Sequence, residues 1–232
     1  MTITAIIPHF YRERRDNLPR LIASLNGGSV APAEVLVWNN DLNFDGAHLN
    51  ASVIDSHRNC GPQSRFAAAL VAASDLILFQ DNDVEVRPAT LEHMAREAEA
   101  LPGDCILSLE GRRLGPTGGY IDSLYICGDT LQRPAQIDVS LGRVELVRKR
   151  TVLHLLHQMP FDDAMVMDDI WFSAAAAQQG VPRFVVPWQG DQGFTNLSEC
   201  GVGLYDSDPA CHYDTRDRLC RKLFGCAHES RT

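Results

Sequence analysis

Leu76-Ile77-Leu78-Phe79-Gln80-Asp81-Asn82-Asp83-Val84-Glu85-Val86 decides how this chain is read. Four apolar residues run into two carboxylates spaced one residue apart, the pattern of a buried strand that delivers acid groups to its carboxyl end. In extended backbone, residues i and i+2 point the same way, so Asp81 and Asp83 are expected to face one cation together while Asn82 faces elsewhere. Hard divalent ions such as Mn²⁺ or Mg²⁺ take oxygen ligands of this kind and share their remaining positions with water and phosphate. The plainer alternative is an acidic turn after a core strand.

Upstream, the same logic repeats. Thr2 to Pro8 reads as a first buried strand ended by proline, and Asn17-Leu18-Pro19 opens a helix carrying Leu21, Ile22 and Leu25. Glu34 to Trp38 runs into Asn39-Asn40-Asp41, and Val53-Ile54-Asp55 is a short third strand. Arg65 to Ala73 is expected to be an alanine-rich helix with Phe66, Leu70 and Val71 on one face. These β-α-β spacings favour a parallel sheet. Beyond the opening stretch, a helix to Ala100 and a strand at Cys105 to Leu109 follow.

From Gly111 the character changes. Gly115-Pro116-Thr117-Gly118-Gly119 reads as a flexible connector, and apolar runs at Tyr120 to Cys127 and Val144 to Val147 suggest an antiparallel addition. Thr151 to His157 is expected to be a helix, Asp162-Asp163 a solvated turn, and Asp168-Asp169 opens a helix to Gln179. Arg183 to Val186 reads as a last strand, Gly190 to Asp208 as a polar loop, and Thr215 to Phe224 as a basic helix.

Length and composition fit one domain over 1–232, divided into a half at 1–110 and a second half at 111–232 with the C-terminal helix. Apolar residues at 45% and charged residues at 22% match an ordinary globular chain. A formal net charge of −9 gives no overall attraction to nucleic acid or anionic lipid, so an anionic ligand needs a local positive site or a metal. The N-terminus lacks the basic flank and long apolar run of a signal peptide, and no stretch approaches the roughly 20 apolar residues that span a bilayer, so a cytoplasmic protein without an integral membrane segment is expected. Seven cysteines with no Cys-x-x-Cys pair read as mostly reduced and buried.

Three polar clusters fall at the carboxyl ends of successive parallel strands: His9 with Arg12, Asn39-Asn40-Asp41, and Asp81-Asn82-Asp83. Open α/β sheets bind ligands at that edge. Neither Gly-x-x-x-x-Gly-Lys-Ser/Thr nor Gly-x-Gly-x-x-Gly occurs, so a metal must hold most of any diphosphate charge.

In the order of its motifs the chain resembles glycosyltransferases of the GT-A fold. The matching pieces are Ile6-Ile7-Pro8 with Arg12, Val37-Trp38-Asn39-Asn40-Asp41, Asn59-Cys60-Gly61 with Arg65, Asp81-Asn82-Asp83, and Asp168-Asp169-Ile170. It is most similar to family 2 and, through Trp38-Asn39-Asn40 and Gly203-Leu204 followed by His212, Arg216 and Cys220, to exostosin-like enzymes. The resemblance implies an α/β fold with a mostly parallel sheet flanked by helices and a small antiparallel addition. It implies a divalent metal, Mn²⁺ or Mg²⁺, a nucleotide-sugar donor of the UDP type, and a saccharide or other hydroxyl acceptor. Pro8, Arg12, Asn39, Asn40, Asp41, Asn59, Arg65, Asp81 and Asn82 would lie about the nucleotide. Asp83 would be the firmest metal ligand, with Asp81 on the metal or ribose and His212 a further ligand. Asp169 would be the catalytic carboxylate, with Asp168 beside it.

Blander readings stand beside these. Arg65 is otherwise a helix-surface arginine, His212 an exposed loop histidine, Asp168 a helix N-cap, and Trp188 a partly buried core residue rather than a sugar platform. An Asp-x-Asp after an apolar strand is also similar to haloacid-dehalogenase-like phosphatases, with Ser108, Lys149 and Asp168-Asp169 in the remaining parts. That motif usually opens its sheet near the N-terminus, whereas here about three strands come first. A non-catalytic module binding nucleotide sugars or carbohydrate is the third alternative.

Overall fold

The computed structural model describes residues 2–10, 12–101, 103–160, 167–197 and 209–228. Asp162-Asp163, Cys200, Gly203-Leu204 and the side chains of Arg12, Cys211, Cys226 and His228 lie outside the described residues. In chain order the elements are β1 (Ile3–His9), α1 (Asn17–Asn26), β2 (Glu34–Asn39), β3 (Ser52–Asp55), α2 (Ser64–Ala68), β4 (Leu76–Gln80), β5 (Val84–Val86) and α3 (Thr90–Ala100). There follow β6 (Ile106–Ser108), β7 (Glu110–Arg113), β8 (Leu124–Cys127), β9 (Ala135–Gln136), β10 (Val139–Ser140), β11 (Val144–Arg148), α4 (Lys149–Leu156), α5 (Asp168–Gln178), β12 (Arg183–Val185), β13 (Phe194–Asn196) and α6 (Pro209–His228).

The central sheet has the order β3-β2-β1-β4-β11-β6-β12-β9. β3, β2, β1 and β4 run parallel to one another, as the β-α-β spacings predict. Along β4, Leu76 and Leu78 enter a core with α1 and α3, while Ile77 and Phe79 enter a second core with α2, α4 and α5. A strand apolar at every position is thus covered on both faces, and each such fully buried side chain contributes roughly 1.5–3 kcal/mol. Phe79, Phe66 of α2 and Phe172 of α5 form one aromatic cluster, with Phe66 stacked on Phe172 at 4.3 Å and edge-on to Phe79 at 5.1 Å. That cluster fixes the mutual position of β4, α2 and α5, from which the polar residues discussed below project.

Several expectations change in detail. Val144–Arg148 is not part of a peripheral addition: it inserts antiparallel between β4 and β6 in the central sheet. An apolar run reports burial, and strand direction is set by connections the run does not encode. The separate antiparallel sheet is β10-β7-β8, and β13 pairs with β5. α2 ends at Ala68, after which Leu70 and Val71 donate to Ala67 and Ala68 in tighter turns, so these two side chains are 57% and 64% exposed rather than facing the core. Trp188 packs against the core, 5.9 Å from Phe194, as the plainer reading holds. Among the described residues Cys60, Cys105, Cys127 and Cys220 are free thiols.

α6 packs on α5 and the small sheet through Tyr120, Met167, Ile170, Cys220 and Phe224. No helix among the described residues is long and apolar enough to cross a membrane.

Candidate active site

β4 ends at Gln80, and Asp81 to Asp83 form the turn into β5. The extended parity that would aim Asp81 and Asp83 at one point is therefore lost, and the two carboxylates meet different guanidiniums. Asp81 continues the Ile77 and Phe79 face and accepts from Arg65 Nη2 at 2.6 Å. Asp83 Oδ2 lies 3.0 Å from Arg14 Nη1, in the short turn after β1. Asn82 does not face away: it accepts from Arg14, contacts His9 Nδ1 at 3.2 Å, and its carbonyl accepts from Asn17. The buried amide thus locks the turn to β1 and α1. Burial drives His9 down to about 4, with Arg15 and Arg14 adding to the shift against the pull of Asp41, so its ring is neutral.

Beside it, the end of β2 is held by its own side chains. Asn39 donates to Asp55 and to the Phe44 carbonyl and accepts from the Asp41 N–H. Asn40 accepts from Cys60 N–H and Trp38 Nε1 and donates to Ser64 and the Gly61 carbonyl, stitching β2 to the turn containing Asn59. Asn59 in turn accepts from Gly61 N–H at 2.9 Å. Burial alone would raise the Asp41 pKa, but the Asn43 N–H and the Arg15 guanidinium bring it below the usual carboxylate range. Pro8 is buried within β1 in register with Trp38. A cavity of about 260 Å³ opens beside this cluster, lined by Phe44, Leu49, Val53 and Asp55 among others.

Arg65 is the hub of the other side. It is 5% exposed, so it is not a surface arginine. Its Nε lies 3.2 Å from Asp168 and the Pro62 carbonyl, its Nη1 donates to the Gly142 carbonyl at 2.7 Å, and Nη2 holds Asp81. Asp168 begins α5 but does not cap it; Met167 holds that position and Asp168 turns to Arg65. Burial pushes Asp168 up to about 6, Arg65 opposing and Asp169 and Asp81 adding to the rise. Asp169 pairs with Arg216 of α6, whose guanidinium lies over the Tyr120 ring at 4.5 Å. His212 stands on α6 and not in a loop, partly buried and within electrostatic reach of Asp169 and Arg216. Glu145 of β11, 2% exposed, completes the cluster.

The sequence reading passed over Arg14, Arg15, Arg143 and Glu145. Arg14 and Arg15 adjoin Arg12 in one basic run. Glu145 carried a usable signal, a lone acid inside the apolar run Val144 to Val147. Arg143 reaches Glu110 at 3.1 Å and lies over the Phe194 ring, while its carbonyl accepts from Asp81 N–H.

For a divalent cation the donor chemistry fits in part. Asp83 Oδ1 is buried without a hydrogen-bond partner, and burial followed by the nearby Asp81 charge raises the Asp83 pKa, as expected where a positive charge would be welcome. Yet among the described residues no group of three or more His, Cys, Asp or Glu side chains is arranged to hold a metal, so Asp81, Asp83 and His212 do not form a ready three-ligand set. The phosphatase arrangement is not assembled: Lys149 lies at the opposite edge of the sheet, with its N–H on the Asp75 carbonyl and its Nζ on the Ala72 carbonyl, and Ser108 donates to Phe184.

No protein-family model and no curated protein matches the sequence. Solved structures do. Residues 1-349 of S. aureus TarS, a staphylococcal glycosyltransferase, match with a TM-score of 0.61 at 17% identity, over 85% of this chain and 61% of that one. TarS 1-349 in complex with UDP-GlcNAc gives 0.57 at 15% identity over 86% and 61%, and its complex with UDP gives 0.61 at 16% over 84% and 60%. The chain therefore spans less than two thirds of the length of these structures. What is shared at such identity is the fold, a GT-A-like mixed α/β architecture with a large, mostly parallel central sheet flanked by helices.

Proposed function

We propose that the chain is a glycosyltransferase that moves a sugar from a UDP-type nucleotide-sugar donor to an acceptor hydroxyl, with a saccharide as the acceptor class. The observation that carries this reading is the convergence of Asp81, Arg65, Asp168 and Asp169 at the carboxyl edge of a GT-A-like sheet. The complexes of TarS with UDP-GlcNAc and UDP support the donor class.

In this reading the nucleotide lies along the carboxyl ends of β1, β2 and β4. Asn39 and Asp41 shape the base and ribose side, next to the cavity at Phe44 and Asp55. Arg65, charged at any working pH and anchored on Asp81 and Asp168, lies beneath the position proposed for the donor phosphates. Asp83, with Asp81, would hold Mn²⁺ or Mg²⁺; when bound, such an ion offsets charge on the departing diphosphate. Asp169 is the residue proposed to take the acceptor proton, and its pairing with Arg216 keeps it aimed for that role. Arg216 is itself fixed by the Tyr120 ring.

The test is release of UDP from UDP-glucose and UDP-GlcNAc with and without Mn²⁺ and with a panel of saccharide acceptors. Acceptor-dependent release supports transfer. Tight binding of UDP without turnover would move the chain to the non-catalytic module, and phosphate release from simple monoesters alone would reopen the phosphatase reading.

A further inference from the structure

We infer that Tyr125 and Arg112 form the acceptor subsite of the proposed transferase, and that the saccharide it takes carries an anionic group, a phosphate or a carboxylate. The two residues stand directly opposite each other on β8 and β7, on the face that also carries Glu110. Two lines of contact tie this face to the carboxylates of the candidate site. On one side Tyr125 Oη donates to Glu110, Glu110 accepts from Arg143 at 3.1 Å, and the Arg143 carbonyl accepts from Asp81 N–H. On the other, Arg112 lies over the Tyr120 ring at 4.3 Å, the same ring carries Arg216 at 4.5 Å, and Arg216 holds Asp169. Tyr125 and Arg112 thus close, from the small sheet, a rim whose other side is Asp81 and Asp169.

An aromatic ring and a cation are left open on that rim. Tyr125 is 45% exposed although its hydroxyl is tied to Glu110, so its ring is held in place and faces solvent. A fixed aromatic face of this kind is one on which the apolar face of a sugar ring stacks. Arg112, 5.7 Å from that ring, is partly exposed; its Nη1 donates to Ser123 at 3.0 Å and its Nε is buried without a partner. No carboxylate pairs with it among the described residues, whereas Arg143 and Arg216 on the same rim are neutralised by Glu110 and Asp169. In a chain of formal net charge −9, an unmatched guanidinium beside an open aromatic face calls for a negative charge on the ligand. A neutral saccharide would use the ring and leave the cation unmatched.

The inference rests on the transferase reading, and its test tells their failures apart. Binding of glucose, glucose 6-phosphate, glucuronic acid and inorganic phosphate to the full chain is measured by ligand-observed NMR titration, with UDP as the donor-side ligand. Wild type should bind one of the two anionic sugars roughly tenfold more tightly than glucose, the gain of a charge-assisted contact, and the tighter of them identifies the anion. Arg112→Gln should bring that sugar down to the affinity of glucose, and Arg112→Lys should restore part of the gain, which a packing role alone would not. Tyr125→Ala should weaken glucose and the anionic sugar alike by about threefold or more, while Tyr125→Phe, which keeps the ring, should hold both. UDP should not displace the anionic sugar. The subsite is overturned if neither anionic sugar binds more tightly than glucose, if Arg112→Gln keeps the preference, or if UDP competes and so puts the sugar's charge on the donor side. It is equally overturned if inorganic phosphate binds as tightly as glucose 6-phosphate and Tyr125→Ala changes nothing, which marks a bare anion site. If UDP does not bind while the anionic sugars follow the expected pattern, the saccharide site stands and the transferase reading fails; if UDP binds and the pattern is absent, the subsite alone fails.

Discussion

Arg65 Nη2 donates to Asp81 Oδ1 at 2.6 Å, and the same guanidinium reaches Asp168 and the carbonyls of Pro62 and Gly142. One planar cation thus ties the turn after β4 to the start of α5 and to the loop before β11. A lysine ammonium is a compact point charge and cannot span these partners. Arg65→Lys should lose on the order of 3 kcal/mol of stability, the scale of breaking a buried pair, and at least about tenfold in UDP-GlcNAc affinity. Chemical denaturation and calorimetry read the two effects, and a variant unchanged in both would remove Arg65 from the centre of the site.

Asp83 presents a buried, unpartnered oxygen while Arg14 holds the other. If that oxygen is the one that meets a cation, Asp83→Asn should abolish the gain in UDP affinity that Mn²⁺ provides, a loss of about tenfold or more, and leave metal-free affinity within about threefold. Calorimetric titration of UDP with and without Mn²⁺ checks this. An undiminished Mn²⁺ effect would place the cation elsewhere.

Much of the N-terminal half was legible because local pattern and tertiary outcome agree there. β1, β2, β3 and β4 follow from apolar runs at β-α-β spacing, and their polar ends fall on one edge by topology alone. What failed depends on geometry beyond the local period. The alternation that should align Asp81 with Asp83 holds only within a strand, and β4 stops at Gln80. Leu70 and Val71 lost their buried face because α2 ends at Ala68. The burial of Arg65 was invisible because Asp168 and Gly142 come from distant segments. An apolar run also could not say that β11 enters the sheet antiparallel, and with it went the placement of Glu145 among the site carboxylates.

Glu145 and Asp168 carry a stability consequence with a definite sign. Their folded pKa values, about 7 and about 6, lie above the ordinary 4.5 and 3.8. For a group raised on folding, the stabilising contribution is complete below the ordinary value and is lost as pH rises through the folded value. The chain should therefore lose stability between about pH 3.8 and about pH 7 from these groups. Glu145→Gln removes one of them and should be more stable than wild type at about pH 8 by an amount on the order of 2–3 kcal/mol, with the difference shrinking towards about pH 5. Urea denaturation at the two pH values measures it. A variant equally or less stable at the higher pH would show that Glu145 does not bear the cost of burial.

Asp169 and Asp168 are adjacent, yet the start of α5 sends them to different cations, Asp169 to Arg216 and Asp168 to Arg65. Consecutive helical residues diverge by about 100°, so one carboxylate meets Arg65, the hub of the proposed donor side, while the other faces the side built by α6 and Tyr120. This division predicts separable effects. Asp169→Asn keeps shape and removes the proposed base, so acceptor-dependent turnover should fall by roughly 10²–10⁴-fold while UDP-GlcNAc affinity stays within about threefold. Asp168→Asn should instead weaken donor binding, because Arg65 loses a charged anchor. Comparing turnover and donor affinity for the two variants decides the assignment. If Asp169→Asn transfers sugar at the wild-type rate, the acceptor proton leaves by another route and the carboxylate beside Arg216 is structural.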